Sequence, residues 1–108
     1  MEKTKLTKKD IAIIEKETVF SVTDNGDSYE FSWYTDAGED FSFEVEKGEN
    51  LIESIKDYYY NFDAEEHALS WVGGNGAPDL FTLCDDAKEI QRQLGTLANV
   101  VEELGRSK

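Results

Sequence analysis

The spacing of apolar and polar residues changes period several times along the chain, and each change predicts an element. In LTKKDIAIIEKE, Ile11 and Ile14, with Ala12 beside them, follow a Thr7 that can cap a helix and an Asp10 at the third helical position, as in a capping box. A short first helix is expected, and residues 1–6 ahead of it are expected to be disordered. In TVFSVT the period falls to two, with Thr18, Phe20 and Val22 on one side, and the Asn25-Gly26 pair that follows suits a tight hairpin turn. The next strand sends Tyr29, Phe31, Trp33 and Thr35 to one face and Ser28, Glu30, Ser32 and Tyr34 to the other. After TDAGED the alternation resumes, with Phe41, Phe43 and Val45 inward and Asp40, Ser42, Glu44 and Glu46 outward. Three such strands joined by short turns predict an antiparallel meander.

From KGENLIESIKDYYYNFD onward the period is helical. Asn50 with Glu53 reads as a capping box, and Leu51, Ile55, Tyr58, Tyr59 and Phe62 share a side that should cover the aromatic face of the sheet. Asp63 with Glu66 repeats the cap and opens a short helix, AEEHALSWV, which stops at Gly73, Gly74 and Gly76. After Pro78 a long helix is expected over about residues 79–104. Its apolar residues, Leu80, Leu83, Ala87, Ile90, Leu94, Leu97, Val101 and Leu104, are spaced alternately by three and four, a heptad seam. Gly95 should weaken that helix by roughly 1 kcal/mol relative to alanine. The predicted fold is therefore α+β over a single domain, residues 1–108: a three-stranded antiparallel meander, a short N-terminal helix, and two to three C-terminal helices packed on one face. The seam has two uses. It can pack within the domain, or it can pair with a second copy through Leu83, Ile90, Leu94, Leu97 and Val101.

Charge changes the picture. The chain carries 24 acidic against 11 basic residues, a net of −13, and the excess is concentrated. Between Glu17 and Ala87 eighteen acids face only Lys47 and Lys56, while the two flanking segments are slightly positive. An acidic tail would be a cheap explanation, but most of the aromatic residues lie in the same stretch, so it should fold. The cationic start MEKTKLTKKD is not followed by an apolar signal region, and no apolar run is long enough to cross a bilayer; a cytoplasmic location is expected. Cys84 and His67, one residue of each type, make neither an internal disulfide nor a familiar structural zinc site.

Several stretches invite a chemical reading and lose it on spacing. Glu65, Glu66 and His67 are consecutive on a helix and point about 100° apart, so they cannot converge on one ion; Asp63 and Glu66 are better read as caps. A site around His67 would need partners from another segment. TDNGDSYE and TDAGEDFSFEVE lack the ligand alternation and the sixth-position glycine of an EF-hand loop. GGNGAPD precedes a helix but has neither the lysine nor the hydroxyl of a P-loop, and reads as a hinge or loop. Tyr58, Tyr59 and Tyr60 could stack on bases, yet base-stacking sites need a positive groove; at least two of the three are expected in the core or its rim. Cys84, beside the seam, reads as a small buried apolar residue. Neither a nucleophile motif nor a cofactor fingerprint occurs, so the expected role is non-enzymatic, with no metal or cofactor.

What remains is the acidic face. Glu30, Asp40, Glu44 and Glu46 point away from the core, joined by the turn acids Asp24, Asp27, Asp36 and Glu39. Same-face residues of one strand are about 6.6 to 6.8 Å apart, close to the roughly 7 Å between successive phosphates of a nucleic-acid strand. A solvated outer face kept acidic for solubility accounts for part of this pattern; eighteen acids against two lysines favours a specific basic partner. NFDAEEHALSW, with the later GAPDL and CDDAKEI, resembles small proteins encoded by bacterial phages and conjugative elements, over roughly residues 50–104. The resemblance implies a protein of the anti-CRISPR or anti-restriction type, in which acidic nucleic-acid mimics occur. The expected function is an acidic inhibitor that blocks the nucleic-acid-binding cleft of a host defence nuclease, a CRISPR effector being one candidate. It would bind a basic protein and neither nucleic acid nor membrane. The alternative is a homodimeric interaction or regulatory module built on the long helix.

Overall fold

The computed structural model describes residues 5–35, 37–71 and 79–106. Its elements are α1 (Lys8–Glu17), β1 (Ser21–Asp24), β2 (Ser28–Tyr34), β3 (Asp40–Glu46), α2 (Leu51–Asn61), α3 (Ala64–Trp71) and α4 (Leu80–Arg106). The three strands form an antiparallel sheet in the order β1-β2-β3, so the α+β meander is the observed fold. Residues 1–4 and 72–78, the latter including the glycine-rich hinge segment, lie outside the described residues.

Local signals explain most element ends. Thr7 accepts a hydrogen bond from the Asp10 amide at 3.1 Å while Asp10 accepts one from the Thr7 amide at 3.0 Å, the full capping box. Asn50 accepts from the Glu53 amide at 3.2 Å and Asp63 from the Glu66 amide at 3.1 Å. At the start of α4, Asp79 accepts from the Thr82 amide at 2.9 Å, a cap that the glycine-rich approach had obscured.

Three expectations change. Leu6, placed in the loose lead, is buried, and its amide donates to the Tyr29 hydroxyl at 2.9 Å. Thr18 is not a strand residue: its hydroxyl donates to the Ile14 carbonyl and accepts from the Phe20 amide, so it ends α1 and leaves β1 only four residues long. The first hairpin reverses through Gly26 and Asp27, one residue later than the Asn25-Gly26 pair predicts. The Asn25 amide donates to the Ser28 carbonyl at 2.9 Å, and Gly26 takes the positive φ of 96° that a side chain would resist.

The core lies between the sheet and the helices. Phe20, Tyr29, Phe31, Phe41, Phe43 and Val45 meet Leu51 and Ile55 of α2 and Ile90, Leu94, Leu97 and Val101 of α4. Ile14, with Ile11 and Ile13, brings α1 to the same core, whereas Ala12 is exposed. Tyr58 stacks on Phe43 with ring centres 4.4 Å apart, and Tyr59 packs beside Gly95, where an added Cβ would sit 3.1 Å from its ring. Tyr60 faces solvent; Tyr59 packs against the core, and Tyr58, stacked on Phe43 but 36% exposed, lies at its rim. Cys84 is half-buried against a small satellite cluster of Ala68, Leu83 and Ala87 between α3 and α4. The 27 residues of α4, about 40 Å at the helical rise, account for most of the 45 Å long axis. No helix among the described residues is long and apolar enough to cross a membrane.

Candidate functional site

The register of the sheet decides which carboxylates share a surface. Tyr29 pairs with Val45, Phe31 with Phe43 and Trp33 with Phe41 on the inner side; Ser28 pairs with Glu46, Glu30 with Glu44, Ser32 with Ser42 and Tyr34 with Asp40 on the outer side. β1 adds Ser21 and Thr23 to that outer side, opposite Ser32 and Glu30. None of these outer positions is basic. Glu30 and Glu44 are directly opposed, a like-charge pairing that sheets ordinarily avoid. Neutral donors separate them: the Asn25 side-chain Nδ2 donates to Glu30 Oε1 and to Glu44 Oε2, both at 3.4 Å, and the Ser28 hydroxyl donates to Glu44 Oε2 at 2.8 Å. These hydrogen bonds tie the two carboxylates to the neighbouring hairpin.

The predicted acidic set does not all belong to this face. Asp24 pairs with Tyr29, which puts it on the inner side at the end of the sheet. There it accepts from the Lys47 ammonium at 2.8 Å, while that ammonium also lies 4.8 Å from the Tyr29 ring centre. The Lys47 hydrogen bond, with a second from the Gly26 amide, holds the Asp24 carboxyl below its ordinary range. Glu39 is likewise spent: its carboxylate lies 2.6 Å from His67 Nε2, with only 18% of the side chain exposed. Asp27 is exposed in the first hairpin, and Asp36 lies outside the described residues. The shared acidic face is therefore Glu30, Asp40, Glu44 and Glu46.

His67 does find a partner from another segment. It reaches from α3 to Glu39 in the β2–β3 turn, edge-on to Phe41 and against Phe62. The same turn is tied to α4, where the Thr35 hydroxyl donates to Asp86 Oδ2 at 2.9 Å and accepts from the Glu39 amide at 3.0 Å. Two helices thus clamp one turn and set where β3 begins. Among the described residues no side-chain hydroxyl or thiol is bonded to the His67 ring, the Ser70 hydroxyl donating to the His67 carbonyl instead, and no three His, Cys, Asp or Glu side chains converge as metal ligands. Beside the clamp an open cleft of about 550 Å³ lies between α2 and α3, with Tyr58, Phe62 and His67 as aromatic wall and Asp57, Asp63 and Glu66 as acidic lining. Partial burial against Phe43 and, less strongly, proximity to Glu39 push the Tyr58 phenol up from its ordinary pKa.

The heptad seam is occupied within the chain. Leu83, Ile90, Leu94, Leu97 and Val101 are all buried against the sheet, α2 or α3, and only Leu80, at the start of the stripe, is substantially exposed. No known protein family, no curated protein and no solved structure matches this chain.

Proposed function

We propose that this protein is a non-enzymatic inhibitor that presents its acidic sheet face to the basic nucleic-acid-binding cleft of another protein, a host defence nuclease, with a CRISPR effector as one candidate. The observation that carries the reading is the outer face itself: Glu30, Asp40, Glu44 and Glu46 in one register, with no lysine or arginine among its positions. Spacing along β3 supports it, because Glu44 and Glu46 repeat at about 6.6 to 6.8 Å, near the interval between phosphates. The net charge of −13 would draw such a protein to a basic cleft and raise its association rate at low salt. The alternative of a dimer through the α4 seam loses support, since its proposed contact residues are core residues.

The test replaces Glu30, Glu44 and Glu46 together with glutamine. Their side chains lie on the outer face, so circular dichroism and melting should show the fold retained. Capture of a basic nuclease from bacterial lysate should weaken sharply, wild-type capture should fall as salt rises, and added nucleic acid should displace the wild-type protein. A triple variant that captures and inhibits its target as well as the wild type would reduce the acidic face to a solvated surface.

A further inference from the structure

The two edges of the sheet differ. β1 is closed by α1: the Phe20 amide donates to the Thr18 hydroxyl at 3.1 Å and the Val22 amide to the Glu15 carboxylate at 3.0 Å. β3 has no such guard. The Thr35 amide bonds the Glu39 carbonyl and the Lys47 amide bonds the Asp27 carbonyl, so the odd-numbered residues of β3 are the ones turned toward β2. The backbone groups of Asp40, Ser42 and Glu44 therefore point out of the sheet, and among the described residues none of them has a hydrogen-bond partner. An open edge of this kind is a template for an added strand.

We propose that the edge of β3 docks an extended basic segment of the partner by strand addition, with lysine or arginine at alternate positions. The charge on β3 selects that occupant. Asp40, Glu44 and Glu46 stand on the outer face of the same strand, so outward side chains of an added strand lie beside a row of carboxylates. A second copy of β3 would bring the same carboxylates against one another and is repelled. Side chains on the inner face of the added strand meet the aromatic cleft, because Tyr58 and His67, two of its walls, touch Phe43 and Phe41 respectively. Its lining carboxylates, Asp57, Asp63 and Glu66, suit a long cationic side chain there as well. The inference rests on the acidic face being a partner surface and deepens it, by assigning the register to backbone hydrogen bonds and the selection to charge.

The probe is a synthetic acetylated and amidated peptide, TKVKVKT, matched to the 7 residues of β3 and added to the full chain at low salt. Two further versions carry N-methyl groups on one or the other alternate set of amides, leaving charge unchanged. Strand addition predicts that one methylated version binds like the parent and the other loses at least about tenfold in affinity. The variant Ser42→Pro should also lose the peptide, since the Ser42 amide makes no ladder bond and an outward edge position tolerates proline. If that variant does not fold, the methylated pair alone decides. Equal binding of all three peptides overturns strand addition while leaving the charged face intact as a docking surface. Absence of binding by every version at low salt also overturns it. Discrimination between the methylated versions that persists unchanged when Glu30, Glu44 and Glu46 are glutamine keeps the edge and removes the acidic-face reading beneath it.

Discussion

Replacing Thr35 with valine tests whether the clamp on the β2–β3 turn stabilises the fold. The hydroxyl is almost fully buried and serves two groups at once, donating to Asp86 Oδ2 at 2.9 Å and accepting from the Glu39 amide at 3.0 Å. Valine keeps the shape and removes both bonds. A hydrogen bond to a charged group contributes about 1.5–3 kcal/mol, and a buried amide left without an acceptor costs about 1–3 kcal/mol. Asp86 retains slight exposure, and water there recovers part of the loss, so a net destabilisation of about 2–4 kcal/mol is expected. Against a total stability of about 5–15 kcal/mol this is a large share, and it lowers the melting temperature by roughly 10 °C.

Urea denaturation at fixed pH is the assay, read at constant m-value so that a change in midpoint is a change in stability. Thr35→Ser keeps the hydroxyl and should cost no more than about 1 kcal/mol, for the lost methyl. The double variant Thr35→Val with Asp86→Leu removes both partners and should cost less than the two single changes added together, because no carboxylate is then left without its donor. A Thr35→Val protein within about 0.5 kcal/mol of the wild type, or strict additivity in the double variant, would refute the reasoning.

Three further outcomes are expected. Gly95→Ala should gain less than the roughly 1 kcal/mol of helix propensity in the wild-type background, because its Cβ would meet the Tyr59 ring at 3.1 Å, and should gain more when Tyr59 is leucine; equal gains by denaturation would show that the ring does not restrict the site. Leu94→Lys puts an ammonium at a fully buried position and should unfold the chain by circular dichroism; a folded variant with altered sedimentation would instead make the seam intermolecular. The Asp24 carboxyl has a lower pKa folded than unfolded, so its contribution is complete above about pH 4 and is lost as pH falls through the folded value. The stability difference between the wild type and Asp24→Asn should therefore shrink on acidification below about pH 4, and a difference that stays constant down to about pH 2 would remove Lys47 as the cause.

The strands were legible because a one-residue slip would have sent Phe31, Phe41 and Phe43 to solvent and the carboxylates inward, so alternation alone selects the register. The capping box of Thr7 and Asp10 was legible because it is local. Leu6 left a readable sign too: it stands at the position before the cap, and Ile11 at the fourth helical position, the two places of a hydrophobic staple. The long-range ties had no such sign. Glu39 and His67 are 28 positions apart and Thr35 and Asp86 are 51, and nothing periodic relates a turn to helices that close on it after folding. The inward alternation of Thr35 was the one hint, since a threonine at a core position needs a hydrogen-bonding partner.

Asp24 was misassigned for a different reason: it was grouped with the turn acids. The alternation that sends Phe20 and Val22 inward continues to Asp24, which lies on the inner side wherever the two-residue turn falls and pairs there with Tyr29. The same parity governs β3. In an extended chain successive side chains alternate between faces while successive backbone groups alternate between edges, so one choice of register sets both. Closing the second hairpin between Thr35 and Glu39 turns Asp40, Glu44 and Glu46 outward and, in the same step, turns their backbone groups away from β2. Carboxylates and open amides coincide on β3 because a single turn aims them together. A partner reading one of these features meets the other in register.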